Sequence, residues 1–346
     1  AHAIGTAASI FGDIPYSEVS NEEYLTPNFD GQESVYGAVI ALLDDAIGTL
    51  SSAASDNSLS QDIYFGGDAQ KWLRAAQTLK ARFYLHLKDY NNAYNAALNG
   101  INAASGSMYF KPTGSASVTT GDKNLFFQLL AGSRGGDIGT GNSYLMQLLD
   151  PSNQNSRNNA KTDETARFGY YYINESGGAA NTGVAAQFEP QPLVTFEENQ
   201  LILAETALRT KDFNTALAAL NVHRAYLDGG GRLNATHKAS AYNYAPYSAE
   251  DFNAGGIENP DGISAERALL REIIEERYIS GFGTHIPFND ARRLRKSDND
   301  VNVPFPFNIA SASQHPERFP YADDELSANP NAPTEPGIYT VTPVNQ

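Results

Sequence analysis

The strongest constraint on this chain is a pair of segments whose apolar residues recur at helical spacing on both sides of a short polar turn. The stretch "GGDAQKWLRAAQTLKARFYLHLKDYNNAYNAALNG" predicts a helix over 69–87, a tight turn at 88–91 and a shorter helix ending at 98. Much later, "LVTFEENQLILAETALRTKDFNTALAALNVHRAYLDGG" predicts helices over 195–209 and 213–227 around a turn that holds Lys211 and Asp212. Ala204, Ala207, Ala216 and Ala219 stand where two helices approach closely, and Phe213 and Leu220 are placed to fill the gap between them. The expected architecture is therefore mainly α.

Each pair resembles a tetratricopeptide-type helical hairpin, although the two lie too far apart for a regular solenoid. A further helix is expected over 34–50, with Val35, Val39, Leu42, Leu43, Ala46 and Leu50 on its apolar side and Asp44 and Asp45 turned away. Residues 1–11 read as a helix stopped by Gly12, Asp13 and Pro15. Ser264 opens a strong helix in "ISAERALLREIIEERYISG", and Gly281 closes it. Between these elements, 101–192 and 229–262 are loop-rich, and Pro192 divides the first excursion from the helix that follows. The C-terminal part, 264–346, continues into a proline-rich tail expected to lie extended across the helical body and cover its own aromatics.

Composition excludes several chemistries. A chain of 346 residues can bury a large core, as one unit or two. Its 40 acidic and 24 basic residues give a formal charge of -16, a field that repels nucleic acid and anionic membranes. Cysteine is absent, which removes thiolate catalysis, disulfides and Cys-ligated metal centres. The opening "AHAIGTAASIFGDIPY" has no basic n-region or continuous h-region, and no window reaches eighteen apolar residues, so neither a signal peptide nor a membrane span is expected.

Catalytic and metal signatures are not found. The adjacent carboxylates Asp44 and Asp45, Glu197 and Glu198, and Glu275 and Glu276 diverge by about 100° on a helix and read as solvated faces. The six histidines show no metal spacing, and "DPSNQNSRNNAKTDE" lacks the glycine of a calcium loop and reads as an ordinary polar loop. No metal or cofactor is expected.

The order and spacing of several pieces carry a resemblance: "FGDIPYSEV" at 11–19, "FDGQESVYGAVIALLDDAI" at 29–47, "DIYFGGDAQKWLRAAQTLKARFYLHL" at 62–87, "FEENQLILAETAL" at 196–208, "IIEERYISGFG" at 273–283 and "HPERFPYADDELSANPN" at 315–331. Together they resemble the SusD/RagB-like family of outer-membrane nutrient-binding lipoproteins of Bacteroidetes. The resemblance implies a single SusD-like unit with tetratricopeptide-like pairs at about 69–98 and 195–227, and a loop-rich subdomain. It also implies an upstream lipid anchor and further helices, a cell-surface location, and a non-catalytic role. That role is to bind a glycan or another polar nutrient and deliver it to a TonB-dependent outer-membrane transporter. A helical protein-interaction scaffold and a carbohydrate-active hydrolase are the alternatives.

Two groups of residues follow. Family membership suggests that Glu276, Arg277, Asp290, Arg292 and Arg293 form a structural junction, although "GTHIPFNDARR" departs from the family's usual ending of that motif. Aromatic rings stack on sugar faces while amides, carboxylates and guanidinium groups satisfy hydroxyls, so "LFFQLLAGSRGGDIGTGNSYLMQLL" nominates Phe127, Arg134, Asp137, Asn142 and Tyr144 as ligand contacts. Trp72, on the apolar side of its helix, is assigned to the core.

Overall fold

A computed structural model spans residues 1–346 and describes all but 20–22, 54–58, 60, 119–120, 134, 178–179 and 308–310. Its helices are α1 (His2–Phe11), α2 (Gln32–Ser52), α3 (Ala69–His86), α4 (Tyr90–Leu98), α5 (Leu125–Ala131), α6 (Tyr144–Leu149), α7 (Thr165–Tyr171), α8 (Phe196–Thr210), α9 (Phe213–Asp228), α10 (Ala265–Ser280), α11 (Ile286–Leu294) and α12 (Asp323–Ala328). Among the described residues three antiparallel two-stranded pairings accompany them: β1 (Ile14–Pro15) with β2 (Phe29–Asp30), β3 (Met108–Phe110) with β5 (Gln191–Val194), and β4 (Thr162–Asp163) with β6 (Asn243–Tyr244). Pro192 thus sits inside a strand, opposite Tyr109 where the register shifts.

The chain divides into two compact units. The first comprises Ala1–Ile101, His285–Asn302 and Phe307–Gln346, and the second Asn102–Thr284 and Val303–Pro306.

In the first unit α3 and α4 pack side by side. Asp68 caps α3 by accepting from Gln70 N and Lys71 N, and Asp89 caps α4 by accepting from Asn92 N. Lys88 turns the chain between them at φ 59°. Val35, Tyr36, Val39 and Leu43 of α2 are buried, but Leu42 is 43% exposed, contrary to its expected place on the apolar side. It lies one residue, about 100°, from Leu43 and so leaves the buried stripe. By length and composition alone α2 could cross a membrane; here its buried face packs on α1 and α3.

Trp72 also departs from expectation. It is half-buried, edge-on to Tyr64 and Phe65 at 5.9 and 5.1 Å, and its Nε1 donates to Asp62 Oδ2 at 2.7 Å. The indole needs a partner for its N–H, which the turn at Asp62 supplies at the edge of the unit instead of in the core. The tail lies on α1: Phe319 N donates to Ile10 O, Tyr321 Oη donates to Asp13 O, and the Phe319 and Tyr321 rings meet Phe11.

In the second unit Thr195 caps α8 and Asp212 caps α9. Ala204, Ala207, Ala216 and Leu220 are fully buried, and the two helices pack against each other and α10. The short helices α5, α6 and α7 lie within the first loop-rich stretch. Leu145, Leu148, Leu149, Tyr170, Tyr171 and Ile279 form part of a common core.

Close approach in the first unit is most demanding at Gly5, where an added Cβ would lie 2.2 Å from the Phe83 ring. Gly5→Ala is expected to lower stability by about 1–3 kcal/mol through overpacking. Urea unfolding of the variant beside the parent chain checks this, and an unchanged midpoint contradicts it.

Candidate functional site

The loop surface of the second unit begins at Asn124. Its Oδ1 accepts from Phe126 N and Phe127 N to cap α5, while its Nδ2 donates to Val184 O and Glu189 O. The cap sets the rotation of the helix, so Phe127 and Leu130 face inward and Leu125 and Leu129 outward. Phe127 is 7% exposed and presents no ring face to a ligand, which corrects its nomination.

Farther along, Thr140 fastens the loop to the end of α7. Its Oγ1 donates to Tyr171 O and accepts from Ile173 N, and its backbone N donates to Ile173 O. Ser143 Oγ accepts from Met146 N to cap α6. Asp137 and Asn142 stay exposed. Tyr144, the first residue of α6, is half-buried against the core, and burial, with the Glu275 charge adding to it, pushes its hydroxyl up to about 12. It packs partly into the unit, because it follows the Ser143 cap and joins the face that carries Leu145 and Leu148. Arg134 lies outside the described residues.

Among the described residues of this unit, Tyr172 is an aromatic that does face solvent, 44% exposed, with ring atom Cε2 within 3.8 Å of where a Cβ on Gly141 would stand. Sequence reasoning missed it. A signal existed in "GYYYI": three consecutive tyrosines at a helix end cannot all face the core, and Tyr170 and Tyr171 are the buried two. Tyr172, Gly141 and Asn142 thus share a wet surface held by Thr140.

The same unit holds a buried ion network. Arg157 Nη2 donates to Glu272 Oε1 at 2.6 Å, and its Nη1 to Glu276 Oε2 at 2.9 Å and Glu164 Oε1 at 3.3 Å. Arg167 binds Glu164 through Nε and Nη2, at 2.7 and 2.6 Å, and Glu276 Oε1 through Nη1 at 2.6 Å. His223 Nε2 stands 3.1 Å from Glu276 Oε1, and Tyr244 Oη donates to Glu164 Oε2 at 2.7 Å. Burial works to raise Glu276, but Arg167 and Arg157 outweigh it and hold the carboxyl well below its usual range. Burial, reinforced by Glu272, pushes Glu258 up to about 8 and, against the pull of Arg157, Glu275 up to about 7.

The expected junction is therefore several separate sets of contacts. Glu276 takes its guanidinium partners from 157 and 167, and Arg277 Nε lies 3.7 Å from Glu205 Oε2. In the first unit Arg293 Nε donates to Asp290 Oδ1 at 2.8 Å, while Arg292 donates to Ser9 O at 2.6 Å and Glu317 O at 2.8 Å. Burial lowers Arg292 to about 10. The carboxylates read as solvated also need correction: Asp44 and Asp45 are exposed, but Glu197, Glu198 and Glu276 are buried and Glu275 is half-buried. Helix packing on several sides leaves such residues no solvent face. Among the described residues no group of three or more His, Asp or Glu is arranged to hold a metal.

A family model, SusD-like and described as "Starch-binding associating with outer membrane", matches residues 3–285. The chain belongs to the SusD/RagB-like family. Solved structures agree with this SusD-like fold. A SusD homolog from Bacteroides fragilis aligns with a TM-score of 0.62 at 17% identity, covering 98% of this chain and 81% of that one. A SusD/RagB family protein from Bacteroides thetaiotaomicron gives 0.60 at 20%, over 95% and 74%. A chitin-binding SusD homolog from Flavobacterium johnsoniae gives 0.59 at 19%, over 93% and 72%. No curated protein matches the chain.

Two consequences for this SusD-like protein can be measured. Arg157→Ala leaves Glu272 and Glu276 short of a buried counter-charge, with an expected loss of about 3–5 kcal/mol. Denaturant unfolding reads it, and a loss no larger than that of a surface arginine contradicts it. Stability should also peak near the carboxylate pKa of the unfolded chain, at about pH 4 to 5. Below this, the unfolded chain takes up a proton at the position where the arginines keep folded Glu276 ionised, so its stabilisation, present above the unfolded-state pKa, is lost as pH falls through the folded pKa. Above it, the folded state retains protons on Glu275 and Glu258 that the unfolded chain has released, so stability declines as pH rises through about 7 and 8. Thermal unfolding across this range should show the decline, and Glu258→Gln should flatten its alkaline side.

Proposed function

We propose that this chain binds a glycan at the outer cell surface without breaking a bond and passes it to a TonB-dependent outer-membrane transporter. The exposed ring of Tyr172 beside Gly141 and Asn142 carries the reading. A sugar's apolar face can stack on such a ring while the amide of Asn142 and the carboxylate of Asp137 meet its hydroxyls. The description of the family and the chitin-binding homolog support a carbohydrate ligand. In this reading α3 with α4 and α8 with α9 act as tetratricopeptide-like frames, Thr140 holds the loop surface, and a lipid anchor belonging to upstream sequence supplies attachment to the membrane.

The carboxylates of the buried network favour binding over hydrolysis. Glu164, Glu272 and Glu276 are engaged by guanidinium groups and closed to solvent, whereas a glycosidase needs an acid and a second carboxylate flanking an accessible bond.

Tyr172→Ala is expected to weaken glycan binding by about tenfold or more while leaving the unfolding midpoint within about 0.5 kcal/mol of the parent. Calorimetric titration against a panel of oligosaccharides, with product analysis by chromatography, tests this. Unchanged affinity displaces the platform. Sugar cleavage favours the hydrolase, and binding of peptides alone favours a protein-interaction scaffold.

A further inference from the structure

Three buried polar atoms of the second unit face one small cavity without a hydrogen-bond partner: both carboxylate oxygens of Glu197 and Nη2 of Arg232. Glu197 is 2% exposed and the Arg232 side chain 7%. The two groups do not close on each other, since Arg232 Nε lies 3.8 Å from Glu197 Oε1. Arg232 is held back by its other nitrogen, with Nη1 donating to Ser280 O at 3.0 Å. Arg167, Tyr170, Tyr171 and Tyr244 are among the other residues that line it, and the space measures about 10 Å³.

We propose that this cavity is a binding site for one ordered water molecule that joins Glu197 to Arg232. The chemistry selects the occupant. A cation would face Arg232 and Arg167, an anion would face the Glu197 carboxylate, and the volume is about that needed by a single water. Water has two donors for the carboxylate and can accept from Nη2, which satisfies the orphaned atoms together. A buried charge left without such a partner is costly, so the site is filled whenever the unit is folded. The water then links α8, which carries Glu197, through Arg232 to the last residue of α10. Ser280 Oγ in turn donates to Glu276 Oε1 at 2.7 Å, so the solvent molecule continues the ion network.

The test is a crystal structure of the chain at a resolution that shows ordered solvent. It is expected to show one density peak within about 2.7–3.2 Å of both a Glu197 oxygen and Arg232 Nη2. Direct bonding of Nη2 to Glu197 with no peak overturns the proposal. So does a peak about 2.0–2.6 Å from the carboxylate inside an oxygen shell, the signature of a metal cation. In solution, oxygen-17 relaxation dispersion should count one fewer long-lived water in the double variant Glu197→Met, Arg232→Met, which removes both charges together. An unchanged count in the folded variant contradicts the site. If the variant does not fold, the crystal structure of the parent chain decides alone.

Discussion

The second unit depends on what happens to two guanidinium groups once they leave water. Arg157 and Arg167 are each less than a tenth exposed, and their carboxylate partners Glu164, Glu272 and Glu276 are as deeply buried. Removing such charges from solvent costs several kcal/mol per ion, and near-ideal geometry is needed to offset it. Arg167 provides that geometry by reaching Glu164 through two nitrogens and Glu276 through two. Any rearrangement of α7, the segment before it or α10 strands a charge, so the arrangement is specific even where its net stabilisation is small. The loop surface inherits this specificity, because Thr140 binds the backbone at the end of the helix that carries Arg167.

Much of the helical frame was legible because its information is local. Asp68, Asp89, Thr195, Asp212 and Ser264 each cap the helix that they precede, and periodic apolar residues mark the buried faces. The network was not legible, because Arg157 and Glu276 meet across 119 positions and nothing near either residue names the other. Closeness in the sequence groups Arg292 and Arg293 with Glu276 and Arg277. In the structure Arg292 turns to backbone carbonyls, whose identity no side-chain pattern reports. The loop surface was half legible. Glycine, asparagine and aspartate marked the loop, but which aromatic ring stays wet depends on helix rotation, which the cap at Asn124 sets for Phe127 and the end of α7 sets for Tyr172.

Sequence separation also distinguishes the two units. Residues 102–284 supply nearly all of the second unit from one continuous run, whereas the first needs segments from both ends of the chain. Its α1 is met by Arg292 donating to Ser9 O, Phe319 N to Ile10 O and Arg318 to Phe11 O. Chain emerging during synthesis can therefore complete the second unit while α1 still lacks the groups that cover it, since contacts spanning some 300 positions form only after the tail is made. For that interval the aromatic end of α1 lacks the rings and hydrogen-bond donors that the tail brings to it, so the first unit is the last to close.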